Sequence, residues 1–441
     1  MKRNPILIII LSIGLLLVCA LCALTGYSTY TWLNRQPGGI RLWNIAPISA
    51  QVQESQDLEV SGSTTLELHS DAGSITVTAT ETDHIEVDMT RTAWAATEED
   101  ARLAAENLPV NITQNGNRIS IDFEQPDDIT LVGGRGGMNS VDFTIQVPVD
   151  TAVILETSFG DISLNGTTGT AELSGSFGDL TVSQVTGALT MHSSQSALTV
   201  RDVNAGLEPV TLDTSFGDIR VNGLTGGDMV IRTSNGTISA QNLNSTGKIE
   251  IQDQFGDITL SQFSAARLSI TSSNGRVEVE AGELEEGMEI TNSFGKVTVR
   301  STNADAYDLE TSNGELSLEG CRGEINLNNS FGDILVTRAE AAILTIRTAN
   351  GRIAFSGSLD PGSAHSLENS FGEIQLTIPA DSVFDIEFET QFGEIDSDLP
   401  ITVSGALTPT SLQGTLNGGG ALLKATTSNG DITLTALVAE R

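Results

Sequence analysis

From Lys248 the chain reads KIEIQDQFGDITLSQF. Ile249 and Ile251 alternate with polar residues, Phe255-Gly256 interrupts, and the apolar positions resume at Ile258 and Leu260. The pattern returns as RLSITSSNGRVEVE from Arg267, MEITNSFGKVTVR from Met288, YDLETSNGELSLEG from Tyr307 and EINLNNSFGDILVT from Glu324. Alternation with a period of two predicts strands with one buried face. Across each break the apolar parity slips by one residue. A glycine at positive φ or a bulge makes that slip without a Cβ clash, which predicts why the break carries Phe-Gly or Asn-Gly.

The hinge glycines are Gly160, Gly178, Gly217, Gly236, Gly256, Gly275, Gly295, Gly314, Gly332, Gly351, Gly372, Gly393 and Gly430. Most steps between them are 18 to 21 residues. The steps of 39 (Gly178 to Gly217, with a worn hinge near Gln195) and 37 (Gly393 to Gly430) are degenerate. A fixed period of this size predicts a stacked array. Asn-Gly also signals hairpins, but a meander would reach ~26 strands where open sheets rarely pass ~10, with one apolar face uncovered. An all-β, elongated β-solenoid avoids both problems. About 13 coils at ~4.8 Å would give a rod of ~60 Å. From Phe216 to Phe371 the hinge residue alternates strictly between Phe and Asn. One unit per coil would interleave them in a single column, and two units per coil would separate a Phe ladder from an Asn ladder. The phenylalanines are expected on the inward parity, filling the core.

Read in order, residues 1–26 are a short basic tip (Lys2, Arg3) and an apolar run, Ile6–Leu24, long enough to span a bilayer. The flanking positive charge predicts an N-terminus inside and the rest outside, and Tyr27, Tyr30, Trp32 and Trp43 suit the interface. A cleaved signal peptide is the rival, without an Ala-x-Ala site to support it. Residues 27–56 read as a juxtamembrane linker. Residues 57–150 predict a β-rich cap with one helix at 97–108, Thr97 as its N-cap and Leu103 and Leu108 toward the sheet. Residues 151–395 are the repeats, and 396–441 a C-terminal cap ending in one last unit, KATTSNGDITLTAL.

The segment VPVDTAVILETSFGDI (Val147–Ile162), the recurring SFGDI and TSNGxI hinges, the helix-bearing block before them and the ending TTSNGDITL (Thr426–Leu434) resemble a bacterial adhesin-like family of β-strand-repeat proteins of unknown function. The likeness covers roughly residues 57–441. It implies an extracytoplasmic or envelope-associated solenoid, some relatives being tied to sensing of envelope stress, and it brings no catalytic residues. Phe at eight hinges departs from the family's commoner Ser-Ser-Gly-Asp.

Charge narrows the partners. With 57 acidic and 22 basic residues, the net charge is −35. That field repels nucleic acid and anionic membrane and attracts divalent cations and cationic peptides. It also keeps a sheet-rich rod soluble. Cys19 and Cys22 lie in the apolar run, so Cys321 has no partner for an ectodomain disulfide.

Candidate chemistry is sparse. The residue after the hinge glycine is acidic at Asp161, Asp179, Asp218, Asp257, Asp333, Glu373, Glu394 and Asp431, which stacking could align into a cation column. Against this, Arg276, Lys296 and Arg352 hold the same place elsewhere, and an acid beside a turn ordinarily caps it. Glu278, Glu280, Glu283, Glu285, Glu286 and Glu289 cluster in one turn. His69, His84, His192 and His365 lack metal spacing, and neither a nucleophile motif nor a phosphate loop occurs. No cofactor is implied. The expectation is a non-enzymatic, single-pass, cell-membrane protein with an extracytoplasmic ectodomain, acting as an adhesin or envelope-interaction protein toward an envelope polymer or protein. The alternative is an envelope-stress sensor whose acidic ectodomain binds cations or cationic peptides.

Overall fold

The computed structural model describes residues 48–126, 137–404 and 408–438. The apolar run at 6–24 lies outside them. Among the described residues no helix is long and apolar enough to cross a membrane.

The repeats form a parallel β-solenoid with one unit per coil. Val210–Phe216 pairs in parallel with Met229–Asn235, which pairs with Lys248–Phe255; Val210, Met229 and Ile249 are level, as are Phe216, Asn235 and Phe255. The second strands follow suit, with Ile219 beside Ile238 beside Ile258. Each unit therefore pairs with the next unit rather than folding onto itself, which excludes the meander. Phe and Asn interleave in one column.

The alternating residues build the core directly. Ile231, Ile251, Ile270, Ile290, Leu309, Leu327 and Ile346 stand in register on successive coils, all essentially inaccessible to solvent. Each such side chain contributes about 1.5–3 kcal/mol of burial. No coil closes a core alone, so the stack is the cooperative object.

A second corner follows each hinge by a few residues. Gln184, Asp202, Asn242, Gln262, Ala281, Ser301 and Arg338 all hold φ between 47° and 57°, and Gly166, Gly223 and Gly320 take the corresponding places with φ of 69° to 89°. A left-handed residue there flips parity again. Ile238 and Ala240 point inward before Asn242, and Leu243 and Ser245 after it. The side chains at this corner share no chemistry, so the sequence pattern hides it.

Both ends depart from sequential stacking. Thr65–Ser70 and Ile75–Thr80, placed by sequence in a separate cap, form a coil that stacks on Ala152–Phe159 and Ile162–Asn165. Arg118–Phe123 and Ser140–Pro148 add outside that coil in parallel. Antiparallel strands Val110–Asn115, His84–Ala95 and Ile48–Glu59 then close the end. The last of these occupies residues assigned above to a linker. The helix is Glu98–Glu106, capped as expected by Thr97, whose hydroxyl accepts from the Asp100 N–H. It buries Ala101 and Ala105, whereas Leu103 faces solvent and only Leu108 of the two leucines packs inward.

At the other end the closing unit does not lie beyond the array. Ala421–Asn429 inserts between His365–Phe371 and Phe384–Phe392, and Ile432–Ala436 between Ile374–Ile378 and Ile395–Ser397. This explains the step of 37 residues: spatially, Gly430 stands between Gly372 and Gly393. Ser411–Leu416 and Ile401–Val403 close this end antiparallel.

Candidate functional site

The hinge glycines form one column, and close packing between backbones requires them. A Cβ on Gly256 would sit 1.9 Å from the Gly236 carbonyl oxygen, and one on Gly332 would sit 2.1 Å from that of Gly314. Gly332 also has φ of 134°. The Gly256 N–H donates to the Asn274 carbonyl and that of Gly275 to Phe294, so each corner is stitched to the next coil. Glycine is thus needed for inter-coil approach as much as for the parity slip.

The phenylalanines point outward, contrary to the inward parity expected. Phe216, Phe255, Phe294, Phe331 and Phe371 are 53–56% exposed and Phe392 73%. The residue before each glycine sits at the apex of the corner, past the last inward position, which the polar residue two places earlier takes. Phe159 and Phe177, on adjacent coils, stack face to face with centroids 5.0 Å apart. From Phe216 onward an Asn separates consecutive phenylalanines, and the inserted coil keeps the alternation by placing Asn429 between Phe371 and Phe392. At ~4.8 Å per coil the rings recur every ~9.6 Å.

Behind the column runs a buried polar ladder that sequence reading did not find. Thr233, Asp253, Ser272, Asn292, Thr311 and Asn329 continue it from coil to coil. Its signal was the residue two before each apex: larger Asp or Asn behind several phenylalanines, Thr or Ser behind asparagines. The Asn329 amide donates to the Gly314 and Gly332 carbonyls at 2.8 and 2.9 Å, and Asn292 repeats this at Gly275 and Gly295. These bonds satisfy carbonyls that the corner would otherwise bury without partners.

Asp253 occupies the same place with a different atom. Its Oδ1 accepts the Phe255 N–H at 3.2 Å, as the Oδ1 of Asn329 accepts from Phe331. Its Oδ2 stands where the asparagines carry their NH2 and has no partner. Burial, with a smaller push from the Asp257 charge, raises its pKa to about 6. A protonated carboxyl can donate toward the glycine carbonyls as the amides do; an ionised one cannot.

The acids after the hinge glycines stack in one column, as their spacing implied, and the aspartates cap turns. Oδ1 of Asp161 accepts the Asp179 N–H at 2.8 Å, and Asp179, Asp218, Asp257, Asp333 and Asp431 each hold the corresponding amide of the neighbouring coil at 2.8–3.2 Å. Glu373 and Glu394 belong to the same column. Basic neighbours interrupt it: Lys296 pairs with Glu315 at 2.8 Å, and Arg352 lies 3.7 Å from Asp333. Among the described residues no three His, Cys, Asp or Glu side chains gather as metal ligands would. In the glutamate-rich turn, Glu278 and Glu289 pair with Arg300 and Arg267.

The remaining reactive groups are dispersed. His69 lies 3.4 Å from Glu156, and His192 lies 3.9 Å from Asp213, on the outer face. His365 is buried, and its Nδ1 accepts the Leu344 N–H, so burial lowers its pKa. Burial pushes the Cys321 thiol up to about 12, far from the thiolate a nucleophile needs. Near the C-terminal end a groove of about 560 Å³ runs beside the apex column across several coils.

A solenoid built of single-hinge coils, with an aromatic column along one corner, defines the class. The chain belongs to the Toastrack DUF4097 family, whose profile matches residues 63–285 and 265–435. No curated protein matches the sequence. Three solved structures are similar to it. One is a putative cell adhesion protein from Clostridium sporogenes, 8% identical, with 88% of this chain and all of that one covered and a TM-score of 0.18. Another is a putative adhesin from Bacteroides fragilis, 14% identical, covering 60% of this chain and 96% of that one, with a TM-score of 0.32. A putative adhesin from Parabacteroides distasonis is 14% identical over 70% and 96%, with a TM-score of 0.30.

Proposed function

We propose that the protein is a non-catalytic binding rod: an extracytoplasmic adhesin or envelope-interaction protein, held to the cell membrane by its N-terminal apolar run. The observation that carries this reading is the apex column. Rods of this kind have no packing reason to expose phenylalanine at a fixed spacing, and large apolar side chains lined up along one exposed edge are the ordinary mark of a docking face. The names of the similar solved structures agree with it. The alternative, sensing of cations or cationic peptides, is supported by the overall acidity, but each aspartate of the column already commits one carboxylate oxygen to a backbone amide.

The test is retention of isolated bacterial envelope on the immobilised full-length protein. Replacing Phe255, Phe294 and Phe331 together with serine is expected to abolish retention with the melting temperature unchanged. Equal retention by the variant would remove the apex column as the working surface.

A further inference from the structure

An asparagine followed by glycine is chemically fragile, because no side chain on the glycine crowds its nitrogen. The chain holds nine such pairs. We propose that the fold shields eight of them and leaves Asn115 as the site of spontaneous deamidation, to aspartate and isoaspartate. The Gly116 nitrogen gives up its proton to solvent and attacks Cγ of Asn115. The new C–N bond closes a succinimide ring as the carboxamide nitrogen leaves as ammonia. Water then opens the ring at either carbonyl, placing a carboxylate on the side chain or on the backbone. The reaction needs two things: a glycine nitrogen free to turn, and a carboxamide free to meet it.

At the five Asn-Gly hinges the nitrogen is occupied. The N–H groups of Gly236, Gly275, Gly314, Gly351 and Gly430 each donate to a carbonyl of the neighbouring coil at 2.9–3.2 Å. That of Gly166, after Asn165, donates to the Ser183 carbonyl at 3.1 Å. Asn222 lies in a strand paired on both sides, and its Oδ1 accepts from Asn242 at 2.9 Å. Asn417-Gly418 is in an open turn, but there the carboxamide is tied. Its NH2 donates to the Ala380 and Ser382 carbonyls, both at 2.9 Å.

Asn115 escapes both restraints. It ends Val110–Asn115, a strand paired with Arg118–Phe123 alone, and both it and Gly116 are exposed. Among the described residues neither its carboxamide nor the Gly116 N–H has a hydrogen-bond partner, and a Cβ on Gly116 would meet nothing within 4 Å. The Gln114 amide holds the Gly116 carbonyl at 3.1 Å, not its nitrogen. Fraying a hairpin tip at a sheet edge costs far less than opening a coil stacked on both faces. The asparagines between the apex phenylalanines thus stay neutral, and the damage falls on the cap.

The experiment ages the full-length protein in mildly alkaline buffer and follows each Asn-Gly peptide by proteolytic mapping and mass spectrometry, with isoaspartate measured separately. The Asn115 peptide is expected to convert at least about tenfold faster than any hinge peptide, with the Asn417 peptide slower than Asn115. In concentrated urea the nine should convert at similar rates, which shows that the fold and not the flanking sequence sets the order. Asn115→Gln should remove most of the isoaspartate formed by the folded protein. Hinge peptides that convert as fast as Asn115 without denaturant overturn the proposal. So does an Asn115 peptide that stays intact in the folded protein while it converts in urea.

Discussion

At the scale of single residues, one carboxyl stands out because the chain itself supplies the comparison. Asn292, Asn329 and Asn369 show what the pocket behind a Phe-Gly corner requires, an N–H donor facing glycine carbonyls, and Asp253 meets that need only when protonated. Its folded-state pKa of about 6 lies above the ordinary carboxylate value. Its contribution to stability is therefore complete in acid and is lost as the pH rises through about 6. Asp253→Asn should match the wild type near pH 4 and exceed it at pH 7 by on the order of 2 kcal/mol. Urea unfolding of both proteins across that range checks this, and parallel pH profiles would refute it. The second corner gives another single-residue case. Ala281 holds φ of 55°, where a Cβ costs about 1 kcal/mol. Ala281→Gly is expected to raise the urea midpoint, the relief of strain outweighing the added freedom of the unfolded chain.

At the scale of the coil, the two corners differ in legibility. The hinge was readable because inter-coil contact forces glycine there in nearly every unit. Gly332→Ala would drive a Cβ into the Gly314 carbonyl and should cost more than 3 kcal/mol, an outlier among single substitutions. Gly62→Ala, with φ of 78° but open space around the new methyl, should cost only about 1 kcal/mol. Equal losses in thermal melts would mean that backbone conformation alone, not stacking, selects glycine. The left-handed corner was unreadable because Gln, Asp, Ala, Ser and Arg all accept it where no neighbour crowds them. Period and parity therefore pointed to the solenoid but left one or two units per coil open, and the register between neighbouring strands decides for one. They misplaced the phenylalanines because strict alternation was carried one residue too far, into an apex where the strand has already turned outward. The groove had no sequence signal of its own, since a serine precedes most of the hinges along the chain.

At the scale of the molecule, charge and threading dominate. With a charge of −35 spread along a narrow rod, raising NaCl from low salt to 0.5 M should raise the melting temperature by screening self-repulsion. Calcium at matched ionic strength should add nothing further if the aspartate column only caps turns. A further rise at micromolar calcium would show that the column takes up the ion. The array is also threaded out of order at its C-terminal end, with 421–436 lodged between coils made from earlier sequence. Synthesis delivers segments from the N-terminus onward, so 384–397 emerges before the neighbour that joins it to the stack. The growing face must stay open until that later segment arrives and slides in, like a keystone set after the stones on either side. Once it is seated, the antiparallel strands Ser411–Leu416 and Ile401–Val403 finish the rod without a repetitive parallel end onto which another copy could add.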